Sequence, residues 1–308
     1  MPADRSSSSD GSLPPPEVAA PAPAGEQQTS GNIDDPGAHE FASWDSYNQF
    51  ARRVRRTNRY ILGDEDQSFL RTVLATIRNR DVELKAGLVL YRAQQGVDWV
   101  ERTDDDGNWI GEDVWGYGAK RMKPLADRAK GGRANPAGIP VLYVGSTIET
   151  AISEVRPWIG AEISLAHCRL RRTLRTLDLT IGHGKSSFMG PVFQAVMGGT
   201  PVSAADKEKA VWIDIDNAFS RPMTVSDDRA DYAPTQILAE LFRSHGYDAI
   251  GYKSQFGDTE KRKGYNITIF DPDAAEIVSC APFRVDSIKV TASQIDDAWV
   301  KSRKSDPA

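Results

Sequence analysis

Residues 88–93 read LVLYRA, a short apolar run that follows a glycine and ends beside an arginine. Four further short runs, rich in leucine, β-branched or aromatic residues and bounded by Gly, Pro or Asp, lie at 141–144, 162–168, 248–252 and 266–270. Runs of this length and composition are typical of β-strands. The chain from residue 85 onward is therefore predicted to contain a sheet.

Helical periodicity occurs before and between these strands. Tyr47, Phe50 and Val54 recur at three- and four-residue steps, and a second amphipathic pattern covers 69–77. Ser146 and Glu149 have the spacing of a capping box, which predicts a helix start there. Two more helices are predicted near 206–218 and from 234 to 246. Together the patterns predict an α+β core preceded by a small helical segment.

The composition divides the chain into four parts. Residues 1–40 are acidic and rich in Pro and Ser, with almost no large apolar side chain, so they are predicted to be a disordered tail. Such a tail either keeps the protein soluble or serves in delivery by a secretion system. Residues 41–84 form the helical segment, residues 85–295 the main domain, and residues 296–308 a C-terminal tail.

Charge and composition exclude several classes of protein. The net charge of the 308 residues is −5, and seven acidic residues but only one basic residue lie in 1–40, so the rest is nearly neutral. A dedicated nucleic-acid-binding protein would need a strong basic excess. No apolar run is long enough for a membrane-spanning helix, and the N-terminus lacks a secretory signal. Two cysteines favour a reducing compartment, and a cytoplasmic location is expected, with export as an effector as the alternative.

Common catalytic motifs are missing from the sequence. The four histidines form no His-x-x-x-His pair, and no Gly-x-Ser-x-Gly elbow is present. The triplet Gly184-Lys185-Ser186 lacks the glycine that a P-loop requires five positions earlier, where Leu179 stands. We therefore predict no metal site and no hydrolase of the usual serine type. The polar stretch between 94 and 140 is predicted to be a functional or disordered loop.

Three polar residues interrupt patterns that otherwise predict burial. Arg92 ends an apolar strand, where a guanidinium needs an anionic partner, either a carboxylate of the protein or a bound phosphate. Glu154 borders the apolar stripe of the helix after residue 147, as an ordinary flank carboxylate or as a group facing a cleft. Ser254 closes the strand at 248–252, as a turn residue or as a ligand contact.

The segments around these residues carry a family resemblance. The stretches LYRA, GRANPAGIPVLYV, ETAISEVRP, YAPTQILAE and GYDAIGYKS occur in this order at 90–93, 132–144, 149–157, 232–240 and 246–254. In order and spacing they resemble the RES domain family, over about residues 85–275. The family is named for an Arg, a Glu and a Ser, which here are Arg92, Glu154 and Ser254.

The resemblance implies a fold and an activity. RES proteins have an ADP-ribosyltransferase-like β-sandwich core with helices around it. Most are toxins of bacterial toxin–antitoxin pairs, neutralised by a helix-turn-helix (Xre-type) antitoxin. They take NAD as substrate and break its nicotinamide–ribose bond by hydrolysis or by phosphorolysis, in which inorganic phosphate is the second substrate, and they need no metal or other cofactor. Two alternatives stay open, a protein ADP-ribosyltransferase and a non-catalytic NAD-binding module.

The resemblance also suggests roles for individual residues. Glu154 would stabilise the positive charge that develops on the ribose, and Arg92 would clamp the NAD diphosphate or the attacking phosphate. Ser254 would donate a hydrogen bond to phosphate or ribose. Tyr91 and Tyr143 would offer aromatic faces to the ligand; the alternative is that each tyrosine only packs in the β core. Asn135, in the Gly/Pro-rich loop, is also predicted to contact the ligand.

Overall fold

The structure is a computed structural model that describes residues 40–125, 128–221, 229–254, 264–289 and 294. The two predicted tails lie outside these residues, except for Glu40 at the end of the first. Within the described ranges, no helix is both long and apolar enough to cross a membrane.

The described residues begin with two helices and continue as a mixture of strands and helices. The first elements are α1 (Ser46–Arg56), α2 (Asp64–Ala75), β1 (Asp81–Leu84), β2 (Val89–Gln95), β3 (Asp98–Thr103) and β4 (Trp109–Trp115). The next are α3 (Ala119–Met122), β5 (Leu142–Gly145), α4 (Ile148–Glu154), β6 (Glu162–Leu170) and β7 (Leu174–Leu179). The last are α5 (Pro191–Met197), α6 (Ala204–Ser220), α7 (Ala233–Ser244), β8 (Ala249–Lys253), β9 (Tyr265–Ile269) and β10 (Ala275–Arg284).

Among the described residues, eight strands form one sheet in the order β1-β7-β8-β9-β5-β2-β6-β10. Of these eight strands, β7 and β8 run parallel and the other neighbours are antiparallel. Strands β2 and β5 are joined at one pair, Tyr91 opposite Gly145, so the sheet consists of a five-stranded and a three-stranded segment. The α+β class and the leading helical segment are thus confirmed.

Apolar side chains line both sides of this sheet. On one side, residues of α1, α2, α6 and α7 form one apolar cluster with residues of β7 and β8, in which Phe50, Phe219 and Phe242 are fully buried. On the other side, a second cluster draws residues from both segments, including Leu90 and Leu142. The helical segment is therefore part of the core of the domain and not an independent appendage.

A buried ion pair connects the end of the helical segment to α6. Arg80 lies 2.8 Å and 3.2 Å from the two carboxylate oxygens of Asp216, and both residues are almost fully buried. The backbone NH of Gly182 donates to the same carboxylate at 2.7 Å, and the Arg80 guanidinium stacks on Trp212 at 4.1 Å. Although Arg80 opposes the shift, burial raises the pKa of Asp216 above its ordinary value.

Some local predictions are wrong. The capping residue of α4 is Thr147, whose hydroxyl accepts from the NH of Thr150 at 3.1 Å. Ser146, predicted to be the cap, instead accepts from the NH of Tyr265 at 2.9 Å, because this turn is hydrogen-bonded to the start of β9. Residues 81–84, placed by the sequence in the helical segment, form β1 and pair with β7. Part of the expected loop 94–140 forms the two-stranded sheet β3–β4.

Candidate active site

The centre of the site is the carboxylate of Glu154, at the C-terminal end of α4. Its Oε1 accepts a hydrogen bond of 2.8 Å from the hydroxyl of Ser254 and one of 2.6 Å from the side-chain amide of Asn266. Both donors are neutral and more than nine-tenths buried, whereas Glu154 itself is exposed. The sheet therefore holds one oxygen of an otherwise accessible carboxylate.

The register of two strands explains this arrangement. Strands β8 and β9 are antiparallel, and Tyr252 is the partner of Asn266. Partner residues point to the same side of a sheet, as do residues two apart in one strand. Ser254 and Asn266 consequently face the same side and reach Glu154 together. Within the described part of the chain, Oε2 of Glu154 has no hydrogen-bond donor and is open to a ligand.

Arg92 lies on β2, in the other segment of the sheet. Its Nη1 donates to the backbone carbonyl of Tyr143 at 3.0 Å, while its Nε is buried and has no hydrogen-bond partner among the described residues. No carboxylate of these residues lies within ion-pair distance of it. Burial lowers the pKa of Arg92 from its ordinary value, although an arginine remains protonated. The Arg92 guanidinium is thus largely removed from water and has no carboxylate beside it among the described residues.

Tyr143 and Asn135 form a unit at the Gly/Pro-rich loop. The Tyr143 hydroxyl donates to Oδ1 of Asn135 at 2.7 Å and accepts from the NH of Ala134 at 3.0 Å. The Asn135 amide donates to three backbone carbonyls of its own loop, those of Lys130, Pro136 and Ile139. Asn135, 2% exposed, thus shapes the loop with its amide hydrogens, and the ligand contact suggested for it stays a prediction.

Tyr91 points to the face of β2 opposite to Arg92, since the two are neighbours in one strand. Its ring meets the ring of His167 edge-on at a centroid distance of 5.3 Å and packs against the cluster under α4. The structure therefore brings Glu154 and Ser254 into direct contact. Among the described residues, it shows no hydrogen bond or ion pair that joins Arg92 or Tyr91 to them.

Asn266 is the site residue that the sequence analysis missed. The signal was present, because Asn266 and Thr268 alternate with Ile267 and Ile269 in a strand whose residues are mostly buried. A buried strand that repeats polar residues on one face indicates a polar site or a hydrogen-bond network.

Two tyrosines on the same side of the sheet supply neutral hydroxyl groups. Burial raises the pKa of Tyr143 and that of Tyr252, so neither hydroxyl is a base at neutral pH. The Arg133 guanidinium lies 5.6 Å above the ring of Tyr252 and donates to the backbone carbonyls of Phe219 and Arg221. The surroundings of Glu154 therefore combine a carboxylate, neutral donors and aromatic faces.

Comparison with known families identifies the fold around this site. The family model of the RES domain matches residues 112–286. The chain belongs to the RES domain family. Three site residues, Glu154, Ser254 and Asn266, lie inside the matched range, whereas Arg92 precedes it and is assigned by the local motif alone. No curated protein matches the chain.

One solved structure is also similar to the RES domain described here. It is the crystal structure of the Mycobacterium tuberculosis MbcT–MbcA toxin–antitoxin complex, at 16% sequence identity and a TM-score of 0.35. The match covers 69% of this chain and 92% of the chain in that structure.

Proposed function

We propose that this RES domain is a toxin that binds NAD and breaks the bond between nicotinamide and ribose. The observation that carries the proposal is the accessible Glu154 carboxylate, fixed through Oε1 by Ser254 and Asn266. The family resemblance supplies the identity of the substrate. The proposal assigns NAD as a substrate, not as a resident cofactor.

The role of Glu154 follows from the charge changes in the reaction. When the bond breaks, its electron pair leaves with the nicotinamide nitrogen and positive charge develops on C1′ of the ribose, as in glycoside hydrolysis. A fixed carboxylate beside that carbon stabilises the charge as it forms. Since Oε1 is occupied by two donors, Oε2 is the oxygen available for the ribose or its hydroxyl. Nicotinamide departs as a neutral molecule, so the leaving group requires no proton.

Arg92 supplies the opposite charge in this proposal. Its guanidinium is half-buried, keeps one hydrogen bond to the Tyr143 carbonyl and has no carboxylate partner in the described part of the chain. A guanidinium binds phosphate oxygens in a bidentate fashion. Arg92 would hold either the NAD diphosphate or the phosphate that attacks C1′. The attacking group forms a new C–O bond at C1′ and loses its proton to solvent if it is water.

Product analysis tests this proposal. Purified protein is mixed with NAD in the presence and absence of phosphate, and the products are separated and identified by mass spectrometry. Release of nicotinamide is expected, with ADP-ribose 1-phosphate formed only when phosphate attacks and ADP-ribose when water does. ADP-ribose attached to a protein would establish the transferase alternative. Binding of NAD without any nicotinamide release would establish the binding-module alternative and overturn the proposal.

The family resemblance also suggests a helix-turn-helix (Xre-type) antitoxin as partner. The expected observation is a stable complex between this chain and the product of an adjacent gene that encodes such a domain, together with loss of NAD turnover in the complex. An adjacent helix-turn-helix protein that binds the chain but leaves nicotinamide release unchanged would contradict this part of the proposal.

A further inference from the structure

The hairpin β3–β4 exposes an unusual amount of aromatic surface. Trp99, Trp109 and Trp115 are each more than half exposed, and Val100 and Ile110 are half exposed as well. Soluble proteins seldom expose tryptophans in such density, and contiguous apolar patches of this kind mark interaction sites. Tryptophan is also the side chain most enriched at the centres of protein interfaces.

The hairpin is a rigid arm and not a loose loop. At its tip, the Asp104 carboxylate accepts from the NH groups of Asp106 and Asn108 at 3.0 Å and 2.8 Å. At its base, the NH of Tyr117 donates to the buried hydroxyl of Ser164 at 2.9 Å. A hairpin whose turn is closed by hydrogen bonds and whose base is bonded to β6 presents its side chains in a restricted geometry, which lowers the entropic cost of binding.

One face of this arm combines tryptophans with uncompensated negative charge. Glu101 and Glu112 are direct cross-strand partners, and Trp99 and Trp109 lie on the same face, on either side of them. Directly opposed like charges destabilise a strand pair. Among the described residues, no cation contacts either glutamate, and the segment 98–115 holds seven acidic residues against one arginine. We call Trp99, Glu101, Trp109, Glu112 and Val114 the Trp–Glu face.

The same chain carries a surface of the opposite character at the end of α1. Residues 54–61 line a cleft of about 470 Å³, and the segment 52–63 contains five arginines and no acid. Arg56 is exposed with no carboxylate partner in the described ranges, while Arg59 is tied to the carbonyl of Arg55. Tyr60 and Ile61 beside them are 94% and 82% exposed. We call this surface the arginine cleft.

The geometry points to a head-to-tail contact between two copies of this chain, in which the Trp–Glu face of one copy binds the arginine cleft of another. Arginine over tryptophan is the most favourable cation–π pair, and the two glutamates supply the carboxylates that Arg56 and Arg59 lack. Within one copy the two surfaces belong to different parts of the fold, since α1 packs on α6 and α7 while β4 packs on β10. The contact is thus heterologous and leaves a free surface at each end.

Sedimentation velocity of the full chain over a range of concentrations tests the inference. The weight-average mass is expected to rise from the 33.8 kDa of one chain toward that of two or more, and to fall again as salt screens the charges. A wild type that stays at one chain's mass at all concentrations and at low salt would overturn the inference.

Charge reversal locates the contact. Glu101→Arg with Glu112→Arg, and separately Arg56→Glu with Arg59→Glu, are each expected to abolish self-association, whereas an equimolar mixture of the two variants should form a one-to-one complex. Arg71→Glu with Arg243→Glu is the matched control, because both arginines are exposed and outside the two surfaces. Thermal unfolding checks that every variant is folded. Association that persists in both test variants, or that the control also abolishes, would refute the proposed contact.

A third variant separates aromatic packing from charge. Trp109→Ser leaves all charges in place and should weaken self-association at least tenfold, since exposed tryptophan is the main apolar contact of the Trp–Glu face. Unchanged association in this variant would show that the face is not the contact. If charge reversal fails to fold, Trp109→Ser alone still decides the matter, because it alters an exposed side chain.

Discussion

Two arginines of this domain, Arg80 and Arg92, have lost most of their contact with water, but their hydrogen-bond partners differ. Arg80 is paired with both oxygens of Asp216, stacks on Trp212 and donates to the Asp178 carbonyl. Arg92 has one backbone carbonyl and a buried Nε without a partner in the described part of the chain. The first arrangement is complete without a ligand, whereas the second leaves a guanidinium without an anion among the described residues, as the proposed clamp requires. The two buried arginines therefore differ in whether a carboxylate of the protein pairs with them, and this difference can be tested.

The largest expected effect is on stability, at Arg80. Arg80→Leu leaves the carboxylate of Asp216 buried without its cation, and breaking one side of a buried pair costs about 3–5 kcal/mol of unfolding free energy. Urea unfolding measures this loss. Arg92→Leu is the matched control and should cost far less, because no carboxylate is left behind. Equal losses in the two variants would mean that Arg92 has a structural role like that of Arg80.

The next effect is on catalysis, at Glu154. Glu154→Gln keeps the shape of the side chain but removes its charge, and loss of one such electrostatic group lowers the rate by about 10²–10³-fold. Folding should change little, since the carboxylate is exposed. Nicotinamide release and thermal unfolding are measured on the same preparations. A folded variant with the wild-type rate would remove Glu154 from the mechanism.

Arg92→Lys sharpens the comparison by keeping the charge and losing the bidentate geometry. One charge-assisted hydrogen bond is worth about 1.5–3 kcal/mol, so we expect a loss of about 10–100-fold in kcat/KM for NAD or for phosphate. The co-substrate whose KM rises identifies the anion that Arg92 holds. Retention of full activity by a folded variant would refute the clamp.

A smaller effect is expected at Asn266, whose side-chain amide donates to Oε1 of Glu154. Asn266→Ala removes one of the two donors to Oε1, and a hydrogen bond of this kind contributes about 1.5–3 kcal/mol, part of which Ser254 retains. We expect a decrease of about tenfold in kcat with KM for NAD nearly constant. Ser254→Ala serves as the comparison variant, and the double variant should lose more than either one. A change in stability with kcat intact would restrict Asn266 to a structural role.

The smallest expected effect is on the free energy of unfolding and concerns an exposed ion pair, Arg175 and Asp81. Arg175 lies 2.8 Å from Asp81 across β1 and β7, and its hydrogen bond lowers the pKa of Asp81 below the ordinary 3.8. The stability from this pair is therefore present above about pH 4 and is lost as the pH falls through the lowered pKa. Asp81→Asn should cost at most about 1 kcal/mol at pH 7, because the pair is half exposed. Plotted against pH, the unfolding free energies of the wild type and of Asp81→Asn should converge at acid pH. A difference that stays constant over the whole pH range would contradict this prediction.

The sequence predicted the separate parts of the site better than their arrangement. Arg92, Glu154 and Ser254 each interrupt a local apolar pattern, which made them visible one at a time. Their grouping came from the family resemblance, since a contact between residues 154 and 254 depends on the register of β8 and β9 and on where α4 lies. Local patterns contain no information about that register.

The hairpin β3–β4 was missed for a different physical reason. A strand is recognised by the alternation of a buried and a solvated face, and nearly every residue of β3 and β4 is partly or fully exposed. With no buried face, the segment reads as a polar loop. The capping residue of α4 was misplaced by one position because Ser146 and Thr147 are both suitable N-cap residues. The hydroxyl of Ser146 instead accepts from the NH of Tyr265 at the start of β9, which leaves Thr147 as the cap.

The strand order also determines when the site comes into being during synthesis. Strands β8 and β9 are synthesised after β1 to β7, yet they lie in the sheet between β7 and β5. Until they are in place, β1 and β7 are not paired through the sheet with β5, β2 and β6, and Glu154 lacks both of its donors. Glu154 is thus translated about 100 residues before Ser254 and Asn266, the two groups that hold its carboxylate. The topology thus delays assembly of the site until residue 269, the last residue of β9, has been synthesised.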